Sequence, residues 1–172
     1  LQTMAFEILT DPRTHADAAV RIQLVATLAK AAGLQGMAGG QMLDLQAETR
    51  QFDLAETEQM QMMKTGALLS CAVVCGGIVG AAPPEMRAAQ AAFAQDLGLA
   101  FQIADDILDR QASAEDLGKP AGRDAEAGKA SFVDFLGMDG AIDEAAKLAR
   151  EAGEALHATT SYSTPELDYL LE

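Results

Sequence analysis

An all-α fold is the expectation for this chain, and three observations carry it. Tryptophan is absent, and alanine-rich stretches alternate with methionine and leucine, a composition that favours helices over strands. Apolar residues recur at helical spacing. The breaks in that spacing fall at proline, glycine and short polar clusters, where helices stop and start. With 172 residues and 49% hydrophobic content, the chain has enough apolar material for one buried core. A single helical domain over residues 1–172 is therefore expected, without internal repeat or low-complexity tract.

The elements follow in order. Residues 1–9 read as a short helix stopped by Asp11 and Pro12. Thr14 is a suitable cap for a second helix, whose apolar residues include Ala19, Val20, Ile22, Leu24, Val25 and Leu28, and which Gly33 can end. Residues 37–48 form a third segment. Its Gly39 and Gly40 would weaken an isolated helix but allow close backbone approach inside a bundle. A polar stretch over residues 49–53 precedes a long helix starting near Leu54, and Pro83 and Pro84 open another that runs to about Arg110. Residues 111–130 read as one long irregular stretch, with Gly118, Pro120, Gly122 and Gly128 spread through it; loops of that length in compact domains are usually functional or disordered. Residues 132–136, 141–158 and 165–171 read as closing helices.

Charge excludes some functions. Twenty-six Asp and Glu against twelve Lys and Arg give a formal charge of −14, which repels nucleic acid and anionic membrane surfaces. An anion can still bind where the few cations are gathered or a metal ion intervenes. Cys71 and Cys75 lie four apart in an apolar run and read as small buried hydrophobes on one helical face, suiting a reducing compartment. The longest apolar run, residues 66–82, is short and glycine-rich for a membrane span. No export signal is evident, so a cytoplasmic protein is expected. The chain opens on Leu1, with helix already under way, and reads as a fragment or a processed chain.

The chemistry is concentrated in the run Phe101-Gln102-Ile103-Ala104-Asp105-Asp106-Ile107-Leu108-Asp109. Asp105, Asp106 and Asp109 follow Gln102 by three, four and seven residues, which sets three carboxylates and an amide along one helical face. Like charges so close repel, and near a helix C-terminus they also oppose the macrodipole. An acidic helix end facing water would look the same. Hard oxygen donors in a row are, however, what Mg²⁺ accepts when it keeps several waters and shares phosphate oxygens. Three of the five lysines tip the balance: Lys64 begins Lys64-Thr65-Gly66, and Gly118-Lys119 and Gly128-Lys129 follow the aspartates. Cations beside a carboxylate stripe suit a diphosphate.

At this point the sequence resembles the trans-isoprenyl diphosphate synthase (polyprenyl synthetase) family, most closely its bacterial farnesyl diphosphate synthases. The resemblance is carried in order by Gly39-Gly40-Gln41 with Asp44-Leu45, by Lys64-Thr65-Gly66-Ala67-Leu68, by Gly98-Leu99-Ala100-Phe101-Gln102 leading into Asp105-Asp106-Ile107-Leu108-Asp109, and by Leu117-Gly118-Lys119 with Gly128-Lys129. It implies the C-terminal part of a helical bundle around a central cavity. It also implies a Mg²⁺-dependent prenyltransferase that joins isopentenyl diphosphate to an allylic diphosphate, dimethylallyl or geranyl, giving a short-chain product such as farnesyl diphosphate. By the same resemblance Asp105, Asp106 and Asp109 hold Mg²⁺, while Lys64, Thr65, Gln102 and Lys119 contact the diphosphate or position the reacting end of the prenyl chain, with Lys129 beside them. Family members are usually homodimers.

Departures from the family pattern matter too. Its first aspartate-rich motif and its isopentenyl-binding Arg, Lys and His residues are absent, lying upstream of Leu1 in relatives, so the 172 residues are not expected to catalyse condensation unaided. Pro120 follows Lys119, Arg123 stands where relatives often have Lys, and Ala130 replaces a small hydroxyl residue. A non-catalytic partner subunit has no need of a metal stripe, and a class I terpene cyclase is not expected to carry the paired Gly-Lys motifs. Met37, Met42, Met60, Met62 and Met63 read as core or interface packing, and His15 and His157 as surface residues. Gln41 and Asp44 either line the cavity or satisfy a neighbouring helix.

Overall fold

Helical periodicity is realised along the whole of the part described: the computed structural model describes residues 1–115 and 130–157. Helices α1 (Gln2–Thr10), α2 (Ala18–Ala32), α3 (Met37–Ala47), α4 (Leu54–Gln61), α5 (Ala67–Val79), α6 (Pro84–Glu115) and α7 (Phe132–His157) follow one another, with a π-helical turn (Met62–Gly66) joining α4 to α5. No strand occurs among the described residues.

Local chemistry explains most boundaries. The cap of α2 is Asp17, not Thr14: its carboxylate accepts the Ala19 N–H at 2.8 Å, while the Thr14 hydroxyl donates back to the Ile8 carbonyl at 2.5 Å. A short acidic side chain both accepts an orphan amide and favours the positive end of the helix dipole. At α4 the Asp53 carboxylate accepts the Glu56 N–H and the Glu56 carboxylate accepts the Asp53 N–H, a reciprocal capping box. Gly33 ends α2 as expected.

One expectation about element bounds needs correction. Helix α6 runs through Glu115, so the start of the stretch read as irregular is helical; residues 116–129, and the helix expected at 165–171, lie outside the described residues. The break expected between helices at 132–136 and 141–158 is present: α7 consists of two helical segments that meet at a kink at Gly137, where φ is +72°, a conformation open to glycine and costly for other residues; residue 158 lies outside the described residues.

The core runs along α6 and α7, which lie antiparallel. Near the end of α6 and the start of α7, Ala100, Ile103, Phe132, Val133, Ala141 and Leu148 are buried together. Near the opposite ends, Phe93 and Ala94 meet Ala152 and Leu156, with Val73 of α5 against them. A smaller cluster of Ala47, Phe52 and Met60 holds α3 to α4. Of the methionines read as core or interface packing, Met60 is in the core and Met42 is exposed. Cys71 is buried and Cys75 half-buried, their sulfurs 3.9 Å apart as free thiols. Burial, with Cys75 next to it, pushes the Cys71 thiol up to about 12, so this sulfur behaves as a packing group, not a nucleophile.

Most of the apolar run at residues 66–82 lies in the long helix expected to start near Leu54, which continues through the π turn to Val79. From Leu54 to Val79 it is long and apolar enough to cross a membrane by length and composition alone, with 22% of its most apolar window buried. In this fold it packs against α2, α3 and α6.

Candidate diphosphate and metal site

The π turn that interrupts the α4–α5 helix carries Lys64 and Thr65. An extra residue in one helical turn redirects the side chains that follow it, and such turns are frequent at functional sites. Two glycines clamp this turn. A Cβ on Gly40 of α3 would lie 2.2 Å from the Lys64 nitrogen and 2.6 Å from its Cα, and a Cβ on Gly98 of α6 would lie 3.3 Å from the Gly66 Cα. Three backbones therefore meet around the turn only because side chains are missing there.

One helical turn beyond Gly40, Asp44 is buried. Its Oδ2 lies 2.9 Å from the Lys64 ammonium and accepts a hydrogen bond from the Gln41 amide at 3.2 Å. Asp44 therefore both pairs with a neighbouring helical segment and lines a cleft, joining the two roles the sequence left open, while Gln41 bonds to Asp44 within α3 and does not line that cleft. Sequence reading missed the ion pair; the motif spacing held Gln41 and Asp44 on one face but gave no sign of which cation they meet.

A cleft of about 50 Å³ is lined by Asp44, Met60, Gln61, Lys64, Asp106, Ala130 and Ser131. It gathers the lysine of one sequence motif and an aspartate of another, contributed by helices far apart in the chain. The stripe of α6 is divided by burial. Gln102 is buried, Asp106 half-buried, and Asp105 and Asp109 exposed. Asp106 faces the start of α7, where its Oδ2 accepts the Phe132 N–H at 2.7 Å. Asp105 and Asp109 make no hydrogen bond or ion pair among the described residues. Thr65 is half-buried and does not line the cleft. Lys119 and Lys129 lie outside the described residues.

The entrance to α7 is tied down twice more. Ser131 and Asp134 cap one another, the Ser131 N–H donating to the Asp134 carboxylate at 2.9 Å and the Asp134 N–H to the Ser131 hydroxyl at 3.3 Å. Arg110 of α6 pairs with Asp134. Burial alone would push the Asp134 carboxyl up, but the Ser131 amide and hydroxyl and the Arg110 guanidinium hold it below the usual carboxylate value.

Among the described residues no three His, Cys, Asp or Glu side chains converge closely enough to hold a metal by themselves. The donors present nonetheless suit one kind of cation. Mg²⁺ commonly takes only one or two protein carboxylates, keeps waters, and completes its shell with substrate phosphates. Asp105 and Asp109, open to solvent one turn apart, offer that arrangement.

The Polyprenyl synthetase family model matches residues 1–162; the chain belongs to the polyprenyl synthetase family. The farnesyl diphosphate synthase of Geobacillus stearothermophilus is 39% identical over 147 residues, 85% of this chain and 50% of that protein. An FPP/GFPP synthase from Zymomonas mobilis, solved without ligand, superposes with a TM-score of 0.83 at 40% identity, covering 99% of this chain and 55% of that one. A geranyltransferase from Helicobacter pylori, solved in complex with magnesium and isoprenyl diphosphate, superposes with a TM-score of 0.78 at 29% identity, over 98% of this chain and 55% of that one. The chain spans about half the length of the curated relatives it matches.

Proposed function

We propose that the protein containing these residues is a prenyltransferase that condenses isopentenyl diphosphate with dimethylallyl or geranyl diphosphate into a short-chain trans-prenyl diphosphate such as farnesyl diphosphate. In this reading the chain supplies the side of the site that binds the allylic diphosphate. The observation that carries it is the shared cleft of Lys64 and Asp106, a cation and a carboxylate brought together from separate motifs. Relatives that the chain matches closely are named farnesyl diphosphate synthase, which supports the product class.

Asp105, Asp106 and Asp109 would hold Mg²⁺, which when bound neutralises charge that builds on a departing diphosphate. Lys64 presents its ammonium to the same group, and Thr65, Gln102, Lys119 and Lys129 are assigned to binding and orienting it. Fixed cations aimed where negative charge develops lower the barrier more than mobile ones. The allylic cation must then meet an alkene instead of water, so apolar helix faces that keep water out are part of the chemistry. We assign the protein to the cytoplasm, supported by two thiols that stay unpaired at 3.9 Å, and the assembly to a homodimer, supported by apolar side chains such as Ile22 and Leu45 left exposed.

The test uses a full-length protein that includes the region of the relatives outside these residues. With Mg²⁺ present it is expected to form a prenyl diphosphate from isopentenyl and geranyl diphosphates, and to bind a bisphosphonate analogue by calorimetry. Asp105→Ala is expected to lower turnover by about 10²-fold or more, the scale of a lost electrostatic contact at the reacting group. Absence of both product and magnesium-dependent binding would remove the enzyme reading.

A further inference from the structure

We propose that Asp44 is a positioning residue for Lys64, holding the lysine ammonium at the cleft before substrate arrives. The idea rests on the prenyl-transfer reading above. Asp44 is buried, its Oδ2 lies 2.9 Å from the Lys64 nitrogen, and the same oxygen accepts the Gln41 amide at 3.2 Å. The Lys64 side chain remains 36% exposed, so one side of the ammonium is engaged and the rest is open to the cleft. Lysine is a point charge on a flexible four-carbon stem. An unpaired one would have to be ordered each time a diphosphate bound, and a tethered one is ordered in advance.

The tether has a rigid base. Asp44 stands one turn from Gly40, where the backbone of α3 touches the backbone of Lys64 itself. The two backbones in contact therefore keep the carboxylate within reach of the lysine stem. Gln41, on the same face of α3, donates to the carboxylate and limits its rotation. The Asp44 charge also offsets part of the lysine charge, so tighter binding of the bound ground state is not what the pair provides. What it provides is aim, and loss of aim appears in turnover more than in substrate affinity.

A double-mutant cycle in the full-length protein separates this from a structural role. Asp44→Asn keeps the size of the side chain and removes its charge. It is expected to lower kcat about 10- to 100-fold while the KM for the allylic diphosphate stays within about threefold. In a Lys64→Ala background the same change is expected to alter kcat less than about twofold. An equal loss in both backgrounds, a loss confined to KM, or no loss overturns the proposal. If Asp44→Asn does not give a cooperatively melting protein, Asp44→Glu runs the same cycle: it keeps the charge but displaces it by a methylene, and its cost must likewise vanish with Lys64 absent. A second readout needs no turnover, so it stands even if the prenyl-transfer reading fails. In protein dimethylated on lysine with ¹³C, the Lys64 signal is expected to narrow and move toward that of a free lysine when Asp44 becomes Asn. An unchanged signal also overturns the proposal.

Discussion

Gly40→Ala tests whether the backbone contact around the π turn is real, because two physical effects give it opposite signs. Helix propensity alone favours the change: alanine in place of a helical glycine stabilises by about 1 kcal/mol. Packing opposes it. The new Cβ would meet the Lys64 nitrogen at 2.2 Å, the Lys64 Cα at 2.6 Å and the Met63 carbonyl carbon at 2.7 Å, where ordinary contact begins at 3.4 Å. All three atoms are backbone, so no side chain can rotate out of the way, and α3 must retreat by roughly 1 Å to restore ordinary contact. Overpacking of that kind costs about 1–3 kcal/mol. The retreat also draws Asp44 away from Lys64. The net expectation is destabilisation by up to about 2 kcal/mol, which in a protein of this size lowers Tm by up to about 8 °C.

The assay is chemical denaturation followed by circular dichroism, with Gly76→Ala as the matched control. Gly76 is also a helical glycine, exposed on α5, and a Cβ there meets nothing within 4 Å. With propensity acting alone, Gly76→Ala is expected to stabilise by about 0.5–1 kcal/mol. If Gly40→Ala stabilises as much as its control, the close approach of α3 to the π turn is refuted, and with it the rigid base assigned to Asp44.

The aspartates of α6 are expected to separate in the absence of divalent cations: Asp106→Ala, which removes the acceptor of the Phe132 N–H, should cost about 1–2 kcal/mol, whereas Asp105→Ala and Asp109→Ala should stay within about 0.5 kcal/mol of the parent. Equal costs at all three in denaturant melts would contradict the division of the stripe by burial. Burial, and then the Glu151 carboxylate, push the Asp96 carboxyl up, against a smaller pull from Lys147. A carboxyl whose folded value is raised is unfavourable once ionised, so the penalty is absent below the unfolded value of about 4 and complete above the raised folded one. Asp96→Asn should therefore raise Tm at pH 7, with the gain vanishing as pH falls below about 4; a gain independent of pH would mean that charge is not the cause.

The parts of the fold legible in the sequence were those governed by local pattern. Gly33 ends α2 and Pro84 opens α6 because each acts through its own backbone preferences. At the start of α2 the sequence pointed to Thr14 as the cap, but its hydroxyl is drawn off by the Ile8 carbonyl and the Asp17 carboxylate caps the helix instead. The site shows the same limit on a larger scale. Residues 102–109 named the carboxylates through their spacing, yet the spacing gave Asp105, Asp106 and Asp109 equal standing. Their difference comes from α7, whose first amide takes Asp106 and whose position depends on tertiary packing. The π turn left no mark in composition at all, since Met62–Gly66 suits an ordinary helix as well. Its cause lies in the neighbours: Gly40 and Gly98 admit two backbones so close that the turn between them is held from both sides. The close backbone approach expected of Gly40 thus helps determine where the charged groups of the cleft stand, and the chemistry of Lys64 is set as much by side chains that are missing as by those that touch it.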